Sequence, residues 1–278
     1  MNARLPPAVQ IAAVQAYRSA GTSPTLEEHP DELAVEEPLE IRIAGEPLAV
    51  TMRTPGHDHE LVAGLLLAEG VIGSRADLGG IQHCARLGTE GARNTIDVLP
   101  AAGVVLAIEA TRRGTLTTSA CGVCGRQMID DLLQRLRPVS PCPPVRRAFI
   151  ASLSAELEKR QPTFQRTGGL HGAGIATSKA GLCVVREDVG RHNAVDKAIG
   201  RLVLDGQLPA LGAILVVSGR ISFEIVQKAL AAGLCGVVGV SAPSSLAVST
   251  AARFGLLLCG FARGDKFNVY AGAERLSD

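Results

Sequence analysis

The sequence predicts an α/β protein in two parts, an α+β unit over residues 35–145 and a layered α/β unit over residues 146–278. Three observations lead there. From Gly181 onward, short apolar runs alternate with amphipathic stretches. A proline-rich segment, "RPVSPCPPVRR", separates this region from what precedes it and marks a linker near residue 145. Before the linker, "LEIRI" and "LAVTM" flank "AGEP", the pattern of a β-hairpin with glycine in its turn, and a helical pattern follows.

Residues 1–34 carry Pro, Ser and Thr and end in the acidic run Glu27, Glu28, Asp31 and Glu32, so they read as an ordered-late or mobile lead-in. After the hairpin, "TPGHDHELVAGLLLAEG" offers Thr54 or Asp58 as a helix cap, apolar residues Leu61, Leu65 and Leu66 at helical spacing, and Gly70 as a stop. "IQHCARL" and "NTIDVLP" read as strands joined through Gly88 and Gly91. "SACGVCGR" is a loop, and Met128, Ile129, Leu132, Leu133 and Leu136 then fall on one helical face. In the second part, "GLCVVRED", "GAILVVSG", "CGVVGVS" and "LLLCGFAR" are strands. "NAVDKAIGRLVLDG", "ISFEIVQKALAAG" and "SSLAVSTAARFG" are the helices between them. Alternation at this spacing builds an at least partly parallel sheet covered by helices.

Composition removes several functions. With 28 basic and 27 acidic residues the net charge is +1, so no basic face for nucleic acid and no polybasic membrane signal is demanded. There is no Trp and there are only two Tyr, too few for a base-stacking platform of the single-strand-binding kind. The N-terminal stretch lacks an apolar signal core, and a cytosolic protein is expected. The uncharged run from Ala229 to Ala252 is interrupted by Gly233, Gly236, Gly239 and Pro243, and reads as buried core, not as a membrane span.

Of seven cysteines, Cys84, Cys142, Cys183, Cys235 and Cys259 are isolated, and Cys121 and Cys124 form one CxxC pair. A structural zinc site needs four ligands, and one pair with His57 and His59 two apart supplies them poorly. Zinc deaminases place H-x-E ahead of P-C-x-x-C, whereas here Ala173 stands where the Glu belongs and the cysteine pair precedes His171. A thioredoxin-like pair lacks its βαβ context. Gly122 and Gly125 give the loop freedom suited to a thiolate that visits two partners. The second part suggests an anion site. "TGGLHGAG" reads as a glycine loop without a nucleotide-binding spacing, while "VVSGRIS" and "GVSAPSS" join strands to helix N-termini, where free N–H groups favour phosphate. Arg220 and Arg263 stand at or beyond strand ends. Asp188 could orient Arg191 or His192, or cap the helix that follows.

The segments "RTPGHDHELVAGLLLAEGVI", "SACGVCG", "TGGLHGAG", "EDVGRHNAVDKAIG", "SGRISFEIVQKALAAG", "SAPSSLAV" and "GFARGDKFNVY", in this order, resemble the FdhD family of formate dehydrogenase accessory sulfurtransferases. The resemblance covers the chain from about Val35 to near its end. It implies a cytidine-deaminase-like second domain without the zinc chemistry, and a homodimer. It also implies that sulfur is accepted as a persulfide from a cysteine desulfurase and passed to the molybdenum bis-guanine-dinucleotide cofactor (Mo-bis-MGD) of formate dehydrogenase. That cofactor is bound as substrate, and the protein has no metal of its own. Carried onto this sequence, Cys121 is the persulfide cysteine and Cys124 its companion. The cofactor-binding segment is Phe261, Ala262, Arg263, Gly264, Asp265 and Lys266. Further expected contacts are Gly169, His171, Arg191, Ser218, Arg220 and Ser241. Asp265 and Lys266 depart from the more usual basic and proline-containing forms, and Ala120 stands where many members have Ser.

Overall fold

A computed structural model describes residues 8–18, 25–84, 93–106 and 133–278. The CxxC loop and residues 85–92 lie outside the described residues, as does all but the last part of the helix expected after the loop, where residues 133–135 are helical.

The expected hairpin is β3 (Glu37–Ile43) and β4 (Glu46–Arg53), whose turn residues Ala44 and Gly45 both have positive φ, 50° and 86°. Two positive φ values match the twist of the flanking strands, and Gly supplies one without strain. With β5 (Leu78–His83) and β6 (Thr95–Pro100) they make a four-stranded sheet of order β4-β3-β6-β5. Helix α1 (Asp58–Ala68) begins where expected, but neither Thr54 nor Asp58 caps it. The cap position is His57, in the left-handed region at φ 57°. Both expected caps are engaged elsewhere: Asp58 accepts two hydrogen bonds from buried Arg53, and the Thr54 hydroxyl accepts from the Val189 amide.

The second part holds a six-stranded mixed sheet of order β13-β12-β11-β10-β8-β9. Its members are β8 (His171–Thr177), β9 (Gly181–Asp188), β10 (Ala213–Val217), β11 (Gly236–Gly239), β12 (Leu257–Arg263) and β13 (Lys266–Ala271). Strands β10, β11 and β12 are parallel, as the alternation predicted. Helices α4 (Arg191–Leu204), α5 (Phe223–Ala231) and α6 (Ser245–Phe254) follow β9, β10 and β11. Two more helices precede the sheet, α2 (Arg147–Lys159) and α3 (Pro162–Thr167). A short strand β7 (Val145–Arg146) ends the proline-rich linker and pairs with β14 (Leu276–Ser277).

Two sequence readings are corrected. The lead-in contains an antiparallel hairpin, β1 (Val9–Arg18) with β2 (Thr25–Ala34), tied to α3 where Arg166 meets Glu32 at 2.7 Å. And "HGAG" is the start of strand β8, not a loop. Its glycines serve packing, because a Cβ at Gly172 would fall into the Gln161 side chain and one at Gly174 would meet Leu182 and the Val184 carbonyl.

One hydrophobic cluster runs from the four-stranded sheet (Leu39, Ile41) through α1 (Leu61, Leu66) and α4 (Val195, Ile199) to the six-stranded sheet (Leu215). A second, smaller cluster lies on the far face of the six-stranded sheet, where Ile150, Leu153 and Leu157 of α2 cover Ala176, Ile214, Val216 and Val238. The junction between α1 and α4 is unusually close. A Cβ at Gly64 would overlap the Asp196 carbonyl oxygen, and a Cβ at Gly200 would overlap the Glu60 carbonyl oxygen. Backbone has no rotamer with which to yield, so even one methyl group must separate the helices. Gly200→Ala is expected to destabilise the protein by at least the roughly 1–3 kcal/mol of ordinary overpacking. Thermal denaturation checks this, and an unchanged midpoint would mean the helices do not cross this tightly.

Candidate functional site

Strands β9 to β12 all end at one edge of the six-stranded sheet, and β8 and β13, running the other way, begin there. The N-termini of α4, α5 and α6 therefore face the same edge, with three helix dipoles aligned toward it. Every expected cofactor contact maps to this edge. Gly169 and His171 are at the start of β8, and Arg191 opens α4. Ser218 and Arg220 follow β10, Ser241 follows β11, and residues 261–266 form the β12–β13 turn.

The contacts differ in what they can offer. His171 is half-buried and lies beside Arg191 and Arg220; burial, then the Arg191 guanidinium, push its ring pKa below the ordinary value of 6.5, with Asp188 pulling the other way and Arg220 adding a smaller push. Its neighbour Gly219 leaves that ring uncovered, since a Cβ there would lie 3.4 Å from His171 Nδ1. Arg191 Nε is buried with no hydrogen-bond partner among the described residues. The Ser218 hydroxyl accepts from the Gly172 amide at 2.9 Å, and the Ser241 carbonyl accepts from the Phe261 amide at 3.2 Å. Phe261 sits at φ 53° and is exposed, a backbone conformation a non-glycine residue adopts at some cost. Ala262 turns its side chain into the core, leaving only its backbone for any ligand. Arg263, Gly264, Asp265 and Lys266 are exposed.

Three features were not legible in the sequence. Among the described residues Asp188 makes no hydrogen bond to Arg191 or His192. Its fully buried carboxylate accepts from the amides of Thr54 and Gly190 and from Asn193 Nδ2, and pairs with buried Lys197 at 2.7 Å. It thereby fixes both the loop entering α1 and the turn that presents Arg191. His192 Nε2 lies 3.2 Å from the Ser222 hydroxyl. Burial, then Lys228 and Arg191, hold this imidazole down at about 4, so it is a neutral partner at physiological pH. Finally, Glu60 on α1 receives both Nε and Nη2 of Arg186 on β9. A cavity of about 410 Å³ opens beside this contact, lined by Gly56, His57, Arg160, Thr163 and Leu170 among others. Among the described residues no cluster of three metal-ligating side chains occurs, and no helix is long and apolar enough to cross a membrane.

Burial alone would raise the Glu60 carboxyl, but the Arg186 and His57 contacts outweigh it and hold the group at about 2, below the ordinary 4.5. A depressed carboxyl contributes stability above its unfolded pKa and loses it as pH falls through the folded one. The melting midpoint is thus expected to drop between about pH 4.5 and pH 2. Glu60→Gln should melt lower at neutral pH and show a shallower acid slope. An identical slope in wild type and variant would remove Glu60 from the account.

Comparison with known proteins agrees with this architecture. The FdhD/NarQ family profile matches residues 34–277. A sulfur carrier protein FdhD from Anaeromyxobacter dehalogenans (strain 2CP-C) is 51% identical over 255 residues, covering 88% of this chain and 88% of the relative. That of Streptomyces coelicolor is 49% identical over 253 residues, covering 89% and 90%. The crystal structure of a formate dehydrogenase accessory protein from Desulfotalea psychrophila superposes with a TM-score of 0.77 at 24% identity, over 98% of this chain and all of that one. With a family match across nearly the whole chain and relatives near half identity, this protein belongs to the FdhD/NarQ family.

Proposed function

We propose that this protein is a sulfurtransferase that takes a persulfide sulfur from a cysteine desulfurase and passes it to the Mo-bis-MGD cofactor destined for formate dehydrogenase. The sulfur half of this reading is supported by the CxxC pair, by family membership, and by the name of the relatives, sulfur carrier protein FdhD. The cofactor half rests on one observation: the expected contacts lie along a single sheet edge, around a guanidinium whose Nε is buried with no hydrogen-bond partner among the described residues. From β8 to β12 is three strand spacings, about 14 Å. An elongated diphosphate-bearing ligand matches that length better than a mononucleotide. Helix N-termini and Arg191 and Arg220 would meet its phosphates, and neutral His171 would donate or accept a hydrogen bond beside them. We also read the mixed sheet with helices on both faces as cytidine-deaminase-like, and the active form as a cytosolic homodimer.

The Cys121 thiolate attacks the outer sulfur of the donor persulfide, and the desulfurase cysteine leaves as a thiolate. Cys124 then attacks the inner sulfur, Sγ of Cys121, releasing hydrosulfide toward the bound metal and leaving a Cys121–Cys124 disulfide. A dithiol reductant restores the pair.

A cofactor-holding chaperone that moves no sulfur would use the same sheet edge, so the test separates the two roles. Incubation with a cysteine desulfurase and cysteine should add one reducible sulfur to the peptide containing "SACGVCGR", and Cys121→Ala should abolish both that mass and formate dehydrogenase maturation. Maturation that survives Cys121→Ala would favour the chaperone. Independently, Arg191→Gln should weaken guanosine diphosphate binding about 10-fold or more, the scale of one charge-assisted hydrogen bond, by calorimetry. Unchanged affinity would move the ligand away from this edge.

A further inference from the structure

The cavity beside the Glu60–Arg186 contact has no part in the proposed sulfur transfer. Three stretches of chain meet around it: Ala8 at the foot of the β1–β2 hairpin, the loop 54–57 that enters α1, and the corner between α2 and α3 with strand β9. Pro55, Gly56 and Leu170 are buried and form its floor, while His57, Arg160 and Pro162 are exposed at its rim. Gly56 has φ 107°, and a Cβ there would meet nothing within 4 Å, so the space opens directly over its backbone. The walls are fixed by the protein itself. Lys197 Nζ donates to the Thr54 carbonyl at 2.8 Å, and the Glu187 carboxylate accepts from the Thr163 and Phe164 amides at 3.2 and 2.7 Å. A volume of about 410 Å³ falls within the range of small-molecule sites.

The charges around this space are matched, with one exception. Arg186 is held by Glu60, Lys197 pairs with Asp188 at 2.7 Å, and Glu187 is met by its two amides. His57 Nδ1 lies 3.5 Å from Glu60 Oε2. Arg160 differs: its Nη1 donates to the Leu182 carbonyl, and no carboxylate pairs with it among the described residues. A guanidinium offers five N–H donors in a planar fork, so most of its capacity is unused. The spare charge is single. A dianion would face Glu187, and Glu60 and Asp188 behind it, with one free cation to hold it, whereas a monoanion is matched by that cation alone. A carboxylate is the monoanion whose two oxygens fit the fork side by side. Pro55, Pro162, Leu170 and Val185 leave an apolar surface for the rest of the molecule.

We propose that this cavity binds a small carboxylic acid with an apolar body, its carboxylate on Arg160 and its body against Pro55, Pro162 and Leu170. The site is separate from the sheet edge, where Arg191 stands.

The probe is 4-fluorobenzoate, titrated against the full-length protein and followed by fluorine NMR. Saturable binding is expected. The amide of the same shape, 4-fluorobenzamide, should bind about 10-fold or more weakly, the scale of a charge-assisted hydrogen bond. Arg160→Gln should weaken the benzoate by a similar factor, and Arg160→Lys, which keeps the charge and loses the fork, should fall between. Arg191→Gln should leave benzoate affinity unchanged. Arg160 is exposed, so its variants should keep the wild-type melting midpoint. If they do not, the acid and amide compared on the wild-type protein decide alone. Benzoate that fails to saturate overturns the proposal, as does an amide that binds as tightly as the acid. Wild-type affinity in a folded Arg160→Gln also overturns it, and so does a loss confined to Arg191→Gln, which would place the acid at the sheet edge.

Discussion

The contact on which the rest of the molecule depends is the crossing of α1 and α4 at Gly64 and Gly200. Each glycine lies against a carbonyl of the other helix, Asp196 for Gly64 and Glu60 for Gly200. A reciprocal contact of this kind sets the register of the two helices as well as their separation, because sliding by one residue would put a side chain into a backbone. The same two carbonyl-bearing residues send their side chains outward to charged partners. Asp196 pairs with Lys228 of α5 at 2.7 Å, both buried, and Glu60 meets Arg186 of β9. Burying such charges is tolerable only when partners are fixed in place, and losing one partner of a buried pair costs about 3–5 kcal/mol. The glycine crossing provides that fixing. It is also why the two sheets, one from each part of the chain, share a single hydrophobic cluster.

From this junction the geometry passes to the sheet edge. With α1 pressed onto α4, the loop leading into α1 reaches the β9–α4 turn, and the Asp188 carboxylate gathers both. Arg191 is thereby presented from a helix start whose position is set by a buried ion pair, Asp188 with Lys197. In the proposed function, Arg191 on so rigid a support would keep its aim without a loop having to order. The division of labour proposed here follows: rigid elements would hold the ligand, and the cysteine pair would carry the sulfur.

How much of this was legible depended on whether a residue's partners were near it in sequence. Runs such as Ala213–Val217 are apolar on both faces because their strand is covered on both sides, and the helices between them keep a simple stripe, so the alternation was readable. Helix α2 buries Ile150, Leu153 and Leu157, a helical spacing that was available, yet the segment after the proline-rich linker was assigned no element. Strand β8 was mistaken for a loop because its glycines, required by Gln161, Leu182 and Val184, imitate a phosphate loop. The β1–β2 hairpin leaves Ile11 and Leu33 exposed and has no clean two-residue period to announce it. At the site, strand ends placed the serines and arginines correctly. Asp188 could be suspected only of acting on its neighbours, because its decisive partner Thr54 lies in another part of the chain.

Asp265 stands in the exposed turn between β12 and β13, flanked by Arg263 and Lys266, which pair across the strands. Unit charges about 4 Å apart in bulk water interact by only ~1 kcal/mol, and salt reduces this further. At an exposed turn, the repulsion of a diphosphate by Asp265 and its attraction by the two flanking cations are therefore both weak, and they oppose one another. Around His171 and Arg191 the surroundings are partly desolvated, so each interaction there counts for more. On the proposed function, the turn carrying residues 261–266 would position one end of an elongated ligand through its shape and through Phe261, while the charge that binds it would reside at the start of α4.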